Sequence, residues 1–165
     1  MSFNRQYPGP NRFGQQRPGQ AAPPPSPGFQ PPSDQETRAI ILQGDARTLV
    51  TVAERVGRGL ADAGLTTSQI RGVFGSVRLI QMKWPVRASE QEAATARRQL
   101  LLLKPKLAYQ SNRDEKGAVR KLMDVLSPAI DLVESREQFV HLVDYFEAIL
   151  AYHKAAGGKD DDRRR

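Results

Sequence analysis

At four places in this chain, each just ahead of a run of apolar residues at three- and four-residue spacing, a serine or threonine is followed three residues later by Glu or Gln. The pairs are Ser33 with Glu36, Thr66 with Gln69, Ser89 with Glu92 and Ser135 with Gln138. In this arrangement the hydroxyl accepts from an amide of the first helical turn, while the Glu or Gln side chain reaches back to the amide of the cap residue. Four such starts, without a convincing strand pattern between them, restrict the chain to an all-α fold.

The apolar spacing fills in the helices. A short helix runs from Ser33 to Leu42 and breaks at Gly44. Asp45 caps the next, whose stripe is Leu49, Val52, Ala53, Val56 and Leu60, with a stop at Gly64. From Thr66 a third carries Ile70, Val73, Phe74, Val77 and Ile80 and ends at Trp84-Pro85. Ser89 opens a helix through Leu100, Leu103 and Leu107, which Pro105 is expected to kink. Asp114 is expected to start a helix through Val119, Leu122, Leu126 and Ile130, kinked or divided at Ser127-Pro128. The last helix buries Phe139, Leu142, Val143, Phe146, Ile149, Leu150 and His153, with Tyr145, Glu147 and Tyr152 exposed. About five helices over residues 33–158 make one compact bundle.

Outside that domain the composition changes. Residues 1–32 hold nine of the twelve prolines, with Gln and Gly and few large apolar groups. Such a segment cannot bury enough surface to offset its ordering entropy, so a disordered tail is expected, with polyproline character near Pro23-Pro24-Pro25. Its sparse Arg and aromatic residues could touch nucleic acid; a solubilising tail is the plainer reading. Residues 159–165, KDDDRRR, read as a charged C-terminal tail rather than a metal site. The start lacks a signal-peptide core and no apolar run spans a bilayer. A cytoplasmic protein without membrane partners is expected.

Catalysis finds little support. There is no cysteine, which removes thiolate nucleophiles, thiolate metal sites and disulfides. The only two histidines, His141 and His153, project about 120° apart on one helix and cannot share a metal or a proton. His153 continues the apolar stripe and reads as a packed, hydrogen-bonded core histidine. Glu134, Glu137, Asp144 and Glu147 read as a solvated acidic face. No metalloprotease, nucleophile-elbow or phosphate-loop pattern occurs. We expect no enzyme activity, metal or cofactor.

The charge distribution is more informative. Residues 65–113 carry nine basic and two acidic side chains, whereas residues 114–158 carry five basic and eight acidic. A cationic middle third points to a polyanion. Arg71 and Arg78, seven residues apart, share a face with Gly75 between them. Gly75 there either admits a close approach or is merely tolerated. Lys104 and Lys106 flank Pro105, whose kink could turn both outward. Tyr109 and Arg113 are one turn apart, so a ring and a guanidinium lie side by side, suited to sugar or base and to phosphate. The alternatives are a half-buried Tyr109 and an ion pair of Arg113 with Glu115 or another acid.

Three segments then stand in order: LTTSQIR at 65–71, LKPKLAY at 103–109 with Arg113, and YFEAILAYHK at 145–154. Over roughly residues 39–158 the chain resembles the small subunit of the type III-A CRISPR effector, the Csm complex. That resemblance implies a small, all-helical, non-catalytic subunit. Several copies would stack along the complex beside the other Csm subunits and contact the paired guide RNA and target RNA. It also implies Arg71 and Arg78 as phosphate clamps, with Lys83, Lys104, Lys106, Tyr109 and Arg113 extending the track. Two other classes compete: an interaction module docking an acidic protein without RNA, and a helical DNA-binding regulator. The latter would need a recognition helix, and no trustworthy helix–turn–helix spacing is present.

Overall fold

The computed structural model describes residues 29–159. Most of the expected N-terminal tail, and the charged run from Asp160, lie outside the described residues. Within them the elements are seven α-helices: α1 (Asp34–Gln43), α2 (Ala46–Asp62), α3 (Thr67–Lys83), α4 (Glu90–Leu101), α5 (Leu103–Arg113), α6 (Ala118–Asp131) and α7 (Arg136–Ala155). All four capping boxes form, opening α1, α3, α4 and α7. Asp45 caps α2 through the amides of Arg47 and Thr48. Each box satisfies donors that a helix start otherwise leaves unpaired.

Three expectations about the elements change. The helix from Ser89, expected to kink through Pro105, is divided outright at Leu102, in the turn before the proline. That division puts Pro105 in the first turn of α5, where its missing N–H would have had no partner anyway. Asp114 does not start α6, which begins at Ala118. Gly117 turns the chain with φ +68°, and Asp114 Oδ2 accepts from the Val119 amide at 2.7 Å from outside the helix. At the other proline α6 is not divided and runs through Pro128 to Asp131. The described residues therefore form seven helices rather than about five.

The centre of the bundle is α7, which packs on α2, α1 and α3. It buries Phe139, Phe146 and also Tyr145, which the sequence reading placed on the surface. Position 145 is adjacent to Phe146 and turns into the α1–α2 side, where it is fully covered. Phe146 meets Phe74 of α3 edge-on with ring centroids 5.3 Å apart, and Phe139 stacks on Trp84 at 5.2 Å. Such pairs add to simple area burial. Helices α2 and α7 approach closely at Gly57: a Cβ there would sit 2.7 Å from Tyr152 Cβ and 2.9 Å from the Ile149 carbonyl oxygen. Phe29, just before α1, is half-buried against the same core, with Lys121 Nζ 5.8 Å from its ring centroid.

His153 is packed and hydrogen-bonded as expected. Fully buried, it donates from Nε2 to the Leu65 carbonyl at 2.8 Å, joining the end of α7 to the loop before α3. The chain beyond α7 then straps over the start of α3. The Thr67 amide donates to the Lys159 carbonyl at 3.0 Å, and its hydroxyl to the Gly158 carbonyl at 3.2 Å. Thus α3 is fixed at its first turn by α7, while α5 is carried chiefly on α6. These separate supports leave a furrow between α3 and α5. No helix among the described residues is long and apolar enough to cross a membrane.

Candidate nucleic-acid interface

The furrow has a wide end and a narrow end. At the wide end, Ser68 and Gln69 from the first turn of α3 face Pro105, Lys106, Tyr109 and Arg113 of α5 across an open space of about 710 Å³. At the narrow end, Leu79 and Lys83 of α3 face Leu102 and Lys106 across about 300 Å³. A small depression of about 30 Å³ beside Gly72, Ser76 and Gln110 shares lining residues with both. Lys106 lines all three. From Ser68 to Lys83 the α3 wall is about 22 Å long at 1.5 Å per residue.

The division at Leu102 sets which side chains face this track. Leu100 and Leu103 are buried, but Leu101 and Leu102 are about half exposed, so the leucine run is only partly core. On α5, Leu107 turns inward, while Lys106, Tyr109 and Arg113 turn out toward α3. Tyr109 and Arg113 do share a face: the guanidinium lies over the ring, 5.7 Å from its centroid, and donates to the hydroxyl at 3.4 Å. Tyr109 is 65% exposed, so it is not a core aromatic. Arg113 makes no ion pair with Glu115 or any other acid among the described residues. The one carboxylate at the wide end, Asp114, already accepts from the Val119 amide.

The seven residues singled out from sequence do not form one row. Lys83, Lys106, Tyr109 and Arg113 line the furrow. Arg71 and Arg78 are exposed on α3 but lie about 120° around it from the furrow side, by helical geometry. Arg78 donates to the Gln81 side chain and, like Arg71, has no acidic partner among the described residues. Lys104 turns the other way and holds both oxygens of Asp131, at 2.6 and 2.7 Å. A Cβ on Gly75 would meet nothing within 4 Å, so no contact among the described residues requires glycine there.

Several furrow residues were invisible as such in the sequence. Gln69 read only as a cap, and it is one: its Oε1 accepts from the Thr66 amide at 2.9 Å and the Thr66 hydroxyl at 3.1 Å. That commitment fixes the amide orientation and leaves its NH2 donors uncommitted. Gln110 carried no signal beyond its place one residue after Tyr109. Among the described residues no group of three or more His, Asp or Glu could hold a metal ion.

A family model described as Csm2 Type III-A matches residues 43–159, which take in α2 to α7 and both walls of the furrow. The chain belongs to this family. It is a small subunit of the Csm complex, the type III-A CRISPR effector, and the family is that of a non-catalytic subunit. No curated protein and no solved structure matches the chain.

Proposed function

We propose that this Csm2 subunit lies along the paired guide and target RNA and grips the phosphate backbone through the α3–α5 furrow. The observation that carries the reading is the continuity of the track. Lys106 stands where its three depressions meet, with Lys83 toward one end and Arg113 toward the other, none paired with an acid among the described residues. Cations without internal partners are the ones able to displace counterions from RNA. Arg71 and Arg78, on the other flank of α3, suit a second row of phosphates, as a duplex would offer. Lys104 adds less, because its charge is offset by Asp131. Base pairing would read sequence while the subunit holds backbone, a division of labour common to guided effectors.

In this reading the chain holds RNA and does not react with it. Both histidines support that: His153 is buried in the core, and His141 Nδ1 bonds the Ile41 carbonyl at 2.9 Å. The exposed Met82 and Val86, at the end of α3 and just beyond it, suit contact with a neighbouring subunit or a second copy in a cytoplasmic ribonucleoprotein stack.

The test is a salt series of RNA binding for the wild type and for Lys83→Glu/Lys106→Glu. Each lost phosphate contact should weaken binding and reduce the slope of log K against log salt by about 0.7 to 0.9. An unchanged slope in a variant with an intact melting transition would remove the furrow from the proposal.

A further inference from the structure

Phosphate contact alone does not account for the wide end of the furrow. A backbone grip needs cations on a surface, and the narrow end supplies that. The wide end adds a concave space of about 710 Å³, within the range of small-ligand pockets. Pro105, Val119 and the Tyr109 ring give it an apolar lining. Tyr109 is held in place by the Arg113 guanidinium yet remains 65% exposed. Across from it stands Gln69, whose carbonyl oxygen is used by the Thr66 cap, so that side chain has only N–H donors left to offer. An aromatic face, a flanking guanidinium and an amide donor in one recess match the needs of a nucleobase taken out of a helix: a stacking surface, a phosphate partner and a donor for its edge.

We infer that the wide end of the α3–α5 furrow receives one unpaired RNA base, stacked on Tyr109, with its flanking phosphate near Lys106 and Arg113. The inference rests on the furrow being the RNA site and goes further: the subunit distinguishes RNA carrying an unpaired nucleotide from RNA that is fully paired. Arg113 acts here as a positioning residue for the ring as well as a phosphate partner.

The experiment compares two probes with the full chain at one salt concentration. One is a fully paired guide–target RNA duplex; the other is the same duplex with a single bulged 2-aminopurine nucleotide. The wild type should bind the bulged probe more tightly by about 5- to 150-fold, the range expected for one stacked base, with a change in 2-aminopurine fluorescence. Tyr109→Ala should abolish both the preference and the fluorescence change, whereas Tyr109→Phe should keep them. Equal binding of both probes by the wild type, with Lys106→Glu weakening both, would overturn the base pocket and leave the backbone grip standing. A bulge preference that survives Tyr109→Ala would also overturn it. Binding that ignores both Lys106→Glu and Tyr109→Ala would overturn the furrow reading itself, and the pocket with it. Tyr109 lies outside the core, so its replacement should leave melting unchanged and the comparison clean.

Discussion

Glu36 performs two tasks with one carboxylate. It accepts from the Ser33 amide at 2.8 Å, completing the cap of α1, and it holds the Arg55 guanidinium of α2 through two contacts of 3.1 and 2.9 Å. The Arg55 hydrogen bond is the main reason that its pKa is lowered from 4.5 to about 2. A lowered carboxylate pKa means that the charged form favours the folded state. That stability is fully present above 4.5 and is lost as pH falls through about 2. Glu36→Gln can still close the capping box but cannot pair as an ion. Its melting temperature should therefore be below that of the wild type at neutral pH, and the gap should shrink as pH falls from about 4.5 toward 2, measured by thermal unfolding across that range. A gap independent of pH would assign the effect to shape rather than charge. Beside this pair the Tyr145 hydroxyl and Arg55 Nε are buried without hydrogen-bond partners among the described residues, and burial pushes the tyrosine well above its ordinary range. Position 145 stands three residues after Leu142 and four before Ile149, at the edge of the apolar stripe, and α1 and α2 extend the buried face of α7 far enough to cover it.

At the scale of elements, glycine separates two roles that sequence could not tell apart. Gly57 lies where α2 and α7 touch, and Gly75 lies on an open face of α3. Gly57→Ala should cost about 1–3 kcal/mol through overpacking. Gly75→Ala should gain up to about 1 kcal/mol, since alanine favours the helix and meets nothing. Urea unfolding of the two variants measures both, and a destabilised Gly75→Ala would contradict the description of α3. If Gly75→Ala is more stable yet binds RNA less well, the glycine admits a close approach by RNA. The helix starts were legible because a capping box is a local device whose partners lie three residues apart. The break at Leu102 and the late start of α6 were not, because both are settled by backbone geometry around Pro105 and Gly117 rather than by side-chain pattern. The proline signalled a disturbance in the turn before it but not that the helix would divide there, which leaves Pro105 in the first turn of α5.

For the whole molecule, the sequence showed that its cations concentrate in the middle third, but not that α3 would divide them. Lys83, Lys106 and Arg113 fall into the furrow, Arg71 and Arg78 fall on the opposite flank, and Lys104 pairs with Asp131. Tertiary placement of α5 on α6 decides this, and no linear spacing carries that information. The furrow also depends on the chain after α7, because Gly158 and Lys159 cap the start of α3 that forms one wall. Whether RNA runs along this furrow is tested most directly by photochemical crosslinking of the assembled Csm complex to guide and target RNA, mapped by mass spectrometry. The account predicts crosslinks on this subunit within Ser68–Lys83 and Pro105–Arg113, with Tyr109 prominent. Crosslinks confined to α1, α2 or the outer face of α7, with none in the furrow, would contradict it.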